Sequence, residues 1–109
     1  KYIKQKSLQA LHVVGMTHRL NHRPADLSGG ECQRVAIARA IVQEPFILLA
    51  DEPTGNLDED NARSIIELLE KINHSGTAVL MATHRNEFAR RLSSGVINIQ
   101  EGRIGGCMR

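Results

Sequence analysis

Phe46-Ile47-Leu48-Leu49-Ala50-Asp51-Glu52-Pro53 decides the fold. Its apolar run follows Pro45 without any alternation, then two adjacent acids and a proline close it. The run is too short for a helix, so it reads as a strand buried on both faces, as in parallel sheets. Beyond it, residues 54–58 form a polar turn around Gly55. Ala62, Ile65, Ile66, Leu69 and Ile72 recur at helical spacing and predict a helix over 59–73, with its exit at His74-Ser75-Gly76. Residues 77–83 are a second strand candidate of the same kind. Strand, helix and strand in this order make a βαβ unit with parallel pairing, hence an α/β fold. Ligands gather at the carboxyl ends of such strands. Those ends carry Asp51-Glu52 on one strand and His84 on the other.

Further from this unit the signals are local. Ile3, Leu8, Leu11 and Val14 predict a first helix over 1–14, with Gly15 where it would stop. Residues 16–27 read as a loop around Pro24. Ser28 and Glu31 form a Ser-x-x-Glu capping box that starts a helix running to Gln43. Its apolar face is Val35, Ala38, Ile41 and Val42, widened by Ile37 and Ala40, and Pro45 ends it. After the second strand come a short helix at 86–92, a strand at 96–99, and a turn at Glu101-Gly102 leading into a terminal hairpin. We find no repeat and no linker, so residues 1–109 form a single unit, with 1–43 as one helical region and 44–109 as the strand-bearing region.

Composition narrows the function classes. With 41% hydrophobic and 24% charged residues the chain is ordinary globular material. The longest apolar run, Pro45 to Ala50, falls far short of the ~20 residues that span a bilayer. The net charge of +2, with acids and bases interspersed, implies no strong field for nucleic acid or membrane. Cys32 and Cys107 form no CxxC pair, which argues against a disulfide framework. Aromatic residues are only 3% (Tyr2, Phe46, Phe88), so stacking platforms for bases or sugars are lacking.

Two stretches carry chemistry. Delivering Asp51 and Glu52 to the tip of a buried strand is costly unless something neutralises them. A Mg²⁺ ion, which accepts few carboxylates together with water and phosphate oxygens, would do so. One acid could then organise the metal while the next orients a water for phosphoryl transfer; the alternative is a solvated pair that caps the next segment. Leu27-Ser28-Gly29-Gly30-Glu31 offers bare backbone N–H groups at a helix start, where the dipole favours an anion. It also serves as a helix cap, and the two roles are compatible.

Leu27–Glu31 with the following Cys32-Gln33-Arg34-Val35-Ala36-Ile37-Ala38-Arg39-Ala40 resembles the signature motif of ATP-binding cassette (ABC) ATPases. Other motifs follow in family order. Phe46–Glu52 resembles Walker B with its catalytic glutamate, Pro53–Asp58 the D-loop, and Ala82-Thr83-His84 the switch-histidine segment. The likeness runs from about Leu8 to Gly105. The wording Ala50–Asp58 resembles the subgroup of lipoprotein-releasing, macrolide-export and cell-division ATPases. The resemblance implies an α/β core of P-loop NTPase type, present in part, with some of the helical signature subdomain and a C-terminal hairpin.

The same resemblance implies roles. Asp51 would hold Mg²⁺ through water, Glu52 would be the general base, and His84 would contact the γ-phosphate of ATP. Ser28, Gly29 and Gly30, with Glu31 and Gln33 supporting the helix start, would meet ATP held by the opposite subunit. Asn56, Leu57 and Asp58 would lie at the interface. The implied partners are a second nucleotide-binding domain, in a homodimer, and an integral membrane permease or FtsX-like subunit, without nucleic acid. The implied location is peripheral, on the cytoplasmic face of the inner membrane.

The four lysines, Lys1, Lys4, Lys6 and Lys71, do not follow a glycine, so the chain holds no Gly-x-x-x-x-Gly-Lys phosphate cradle. In the family that cradle precedes the signature, so the chain is expected to be the C-terminal half of a domain and, by itself, inactive. Two alternatives remain: a truncated interaction module that donates only the signature motif, and a soluble ABC ATPase of DNA repair or translation. His18 and His22 stand four apart without a third ligand, which argues against zinc. Cys32 reads as a surface residue, and Arg85, Arg90 and Arg91 as a solvated face. Cys107-Met108-Arg109 reads as a tail.

Overall fold

The computed structural model describes residues 2–19, 27–92 and 95–108. Helix α1 (Tyr2–Val13) ends in a Schellman-type arrangement. Met16 N–H donates to Leu11 C=O at 2.8 Å and Gly15 N–H to His12 C=O at 3.0 Å. Gly15 makes this turn with φ of 75°, a conformation that costs glycine little. A 3-10 turn at Thr17–Arg19 follows, which the loop reading of 16–27 does not foresee. Residues 20–26 of that loop, with His22 and Pro24, lie outside the described residues.

Helix α2 (Gly29–Ile41) starts at the expected capping box. Glu31 N–H donates to Ser28 Oγ, and Ser28 N–H to Glu31 Oε1, both at 3.1 Å. The helix stops at Ile41, two residues short of expectation, because Glu44 already has a left-handed backbone ahead of Pro45. Strand β1 (Ile47–Asp51) pairs in parallel with β2 (Ala78–Ala82), Leu48 beside Val79 and Ala50 beside Met81. Between them α3 (Glu59–His74) is capped by Asp58, whose carboxylate accepts from Asn61 N–H at 2.9 Å. Helix α4 (Asn86–Leu92) and the antiparallel pair β3 (Val96–Gln100) and β4 (Arg103–Met108) complete the order.

The core gathers Ala10, Val14 and Met16 from the α1 region, Ile37 and Ala38 from α2, Leu48 from β1, the whole apolar stripe of α3, and Phe88. Leu68 joins that stripe unforeseen, while Ile3 and Ala40 are exposed and take no part in it. One expectation fails. Neither strand of the parallel pair is buried on both faces: Leu48 points inward, but Ile47, Leu49 and Leu80 are more than half exposed. Among the described residues, cover comes from one side only. Arg34 ties three helices together, donating to Val14 C=O at 2.8 Å, at the end of α1, and to Ser64 Oγ on α3.

Candidate functional site

The site is built where the parallel strands end. Glu52 follows β1, and its N–H still donates to Ala82 C=O on β2 at 2.8 Å. Its φ of 45° is left-handed, a strained state for a residue with a Cβ, costing about 1 kcal/mol or more. That turn lays the carboxylate across the end of β2. Oε1 accepts from His84 N–H at 2.7 Å, and Oε2 accepts from Thr83 Oγ at 3.3 Å. The His84 ring places Nε2 3.5 Å from the same Oε1, and its side chain is 98% exposed. Glu52 and His84, 32 positions apart in the chain, are thereby joined, with the imidazole open to a ligand. The sequence motifs do not single out Thr83; a hydroxyl one residue before the histidine at a strand end is the signal that could have found it.

Asp51 is exposed at the tip of β1. No group of three or more His, Cys, Asp or Glu that could hold a metal occurs among the described residues. A single carboxylate beside Glu52 suits a cation bound chiefly by water and phosphate, as Mg²⁺ is, rather than one caged by protein.

The turn from Pro53 to Asp58 links this centre to the start of α2. Gly55 N–H donates to Glu52 C=O at 3.1 Å and Leu57 N–H to Thr54 C=O at 3.2 Å, with Thr54 buried. Leu57 lies under the signature glycines: a Cβ on Gly29 would stand 3.5 Å from its Cδ2. On Gly30 a Cβ would meet Asn61 Oδ1 at 3.0 Å, too close without a shift of that side chain. Ser28 and Gly29 are exposed, Gly30 is buried, and Asn56 and Asp58 are exposed. Gln33, half-buried, lines with Asp51 and Pro53 an open groove between α2 and β1. Glu31 is held by the cap and lies 3.6 Å from His18 Nε2, an ion pair when that histidine is protonated. Cys32 is exposed.

On the face after His84, Arg90 and Arg91 are exposed, and Arg85 and Arg91 carry ion pairs. Arg85 reaches Glu59 Oε2 at 3.2 Å and Glu87 Oε1 at 3.3 Å, and Arg91 reaches Glu70 Oε1 at 3.3 Å. The pairs with Glu59 and Glu70 span distant positions, so no local pattern announces them.

Comparison with known proteins bears on this geometry. The family model described as ABC transporter matches residues 2–55. Over 102 residues the chain is 52% identical to the cell division ATP-binding protein FtsE of Streptococcus pneumoniae, covering 94% of this chain and 44% of that protein. The chain belongs to the ABC transporter family. It spans less than half the length of the curated relatives it matches. The dimeric bacterial ABC transporter cassette MJ0796 superposes with a TM-score of 0.81 at 38% identity, covering 97% of this chain and 46% of that one. CbiO1 of Clostridium perfringens, part of the transporter complex cbiONQ, superposes at 0.89 with 31% identity, covering 95% and 42%. The α/β architecture is thus that of part of an ABC cassette.

Proposed function

We propose that this chain supplies the Walker B, D-loop, switch and signature elements of an ATP-hydrolysing cassette that powers a membrane partner. The observation that carries the reading is the Glu52 carboxylate, held at the carboxyl end of the parallel pair by His84 N–H and the Thr83 hydroxyl. Two donors fix the direction of this side chain, while its partial exposure leaves room for a water beside it. Glu52 is the general base that takes a proton from that water. His84, exposed next to it, donates from its ring to a phosphoryl oxygen. Asp51 would hold Mg²⁺, which when bound neutralises phosphate charge.

Ser28, Gly29 and Gly30 present a helix N-terminus to an anion, and in this reading that anion is the nucleotide of a second subunit. The support is the solved MJ0796 cassette, which is dimeric and has also been seen with ADP and Pi. Leu57 lies against Gly29, and the turn that carries it is hydrogen-bonded back to Glu52, which supports Asn56, Leu57 and Asp58 as an interface loop connecting two such sites. The phosphate cradle missing from these 109 residues is supplied by further cassette residues, which pack on the open face of the parallel pair. The likeness to a cell division ATP-binding protein favours an FtsX-like or permease-type subunit as partner, placing the cassette peripherally on the cytoplasmic face of a membrane. No helix among the described residues is long and apolar enough to cross one.

In the intact protein Glu52→Gln is expected to bind ATP and dimerise while turnover falls about 100-fold or more. Substantial turnover in that variant would remove Glu52 from the role of base. The 109-residue chain by itself is expected to show no ATPase activity; micromolar ATP binding by calorimetry would contradict the need for a cradle from elsewhere.

A further inference from the structure

The switch segment is tied to the D-loop by a residue that neither motif includes. Thr83 Oγ donates to Glu52 Oε2 and accepts from Arg85 N–H at 3.0 Å. The Arg85 guanidinium then donates from one terminal nitrogen to Glu59 Oε2 at 3.2 Å, on the first residue of α3. It also donates from Nε to Glu87 Oε1 at 3.3 Å and stacks 4.5 Å over the Phe88 ring. Phe88 is buried, so the guanidinium rests on a fixed platform. Three different contacts hold the Arg85 side chain, whereas the side chain of its neighbour His84 is placed by its contact with Glu52.

Topology makes this pairing consequential. The D-loop leaves from Glu52, is pinned by Gly55 N–H on Glu52 C=O, and ends at Asp58, the cap immediately before Glu59. Arg85 to Glu59 therefore closes a ring that runs from Glu52 through Thr83 and Arg85 to α3 and back along the D-loop. We propose that Arg85 is a positioning residue: by pairing with Glu59 it fixes the distance between the His84 segment and the D-loop. This rests on the site reading given above but not on which group abstracts the proton. An ion pair at the surface contributes little to global stability. Its effect belongs in the local geometry of His84.

The test uses the intact protein, with Arg85→Ala, Glu59→Gln, Arg85→Lys and the charge swap Arg85→Glu with Glu59→Arg. Two quantities are read: hydrogen exchange of the His84 amide, which needs no turnover, and kcat with KM for ATP. Arg85→Ala and Glu59→Gln are each expected to speed His84 exchange and lower kcat about fivefold, with KM within about twofold. The charge swap and Arg85→Lys are each expected to restore both in part: the swap keeps the pair with position 59 but sets a carboxylate against Glu87, and one ammonium cannot serve Glu59 and Glu87 as the guanidinium fork does. A His84 amide unmoved by either single change, or a swap that restores nothing, overturns the proposal and reduces Arg85 to packing on Phe88. If Arg85→Ala does not fold, Glu59→Gln and the swap still decide it. Turnover persisting in Glu52→Gln would sink the general-base assignment, while the exchange measurement would still judge Arg85.

Discussion

The two faces of the parallel pair are made from one apolar run and live in different surroundings. On the inner face Leu48 is 6% exposed and packs with Val79, Ala50 and Met81 against the core under α3. On the outer face Leu49 is 71% exposed, one residue away in sequence. Neither strand shows the polar alternation of a sheet with one wet face. The outer face is therefore written for burial, while the described residues supply cover for the inner face only. The same contrast places the chemistry, because Asp51 continues the outer face and Glu52 escapes that register by its left-handed turn.

Ile65 gives the largest effect on stability that can test this contrast. It is fully buried on α3, so Ile65→Ala removes a core side chain and leaves a cavity, and it is expected to cost about 3 kcal/mol in a denaturant titration. A loss below ~1 kcal/mol would mean that the inner face is no better packed than the outer one. Asp58→Ala follows in size. Its carboxylate caps α3, and losing that cap is expected to cost ~1 kcal/mol, with Asp58→Ser close to wild type. If Asp58→Ser destabilises as much as Asp58→Ala, the carboxylate serves something beyond the cap, and the interface role becomes its main one.

The elements that periodicity governs are legible in the sequence. The stripe from Ala62 to Ile72 and the box at Ser28 and Glu31 carry local instructions, and both stand where the spacing puts them. The carboxylate and histidine ends of β1 and β2 meet because parallel pairing brings like ends together. What stays hidden depends on long-range contact. Nothing in the neighbourhood of Arg34 says that it will reach Val14 and Ser64, and nothing near Arg85 names Glu59. Burial of a strand on both faces is the expectation from its own letters, yet burial belongs to the neighbours, and beside Leu49 on its face stands Leu80, itself more than half exposed. Glu52 shows the same limit at the site: its identity can be read, but the backbone turn that aims it cannot.

Leu49 gives the smallest expected effect in this chain and bears most directly on the two faces. At 71% exposure its truncation removes little buried area, so Leu49→Ala in the 109 residues is expected to change stability by no more than ~0.5 kcal/mol. In a longer form of the protein, with further cassette residues packed on that face, the same change becomes a core truncation and should cost about 2 kcal/mol or more. Equal, small costs in both would show that the outer face stays open, and would remove the proposed place for the phosphate cradle. A large cost in the 109 residues alone would show that the outer face already has a partner there, such as a second copy. The size of one leucine's contribution, measured twice, thus separates a strand pair awaiting its second cover from one that already has it.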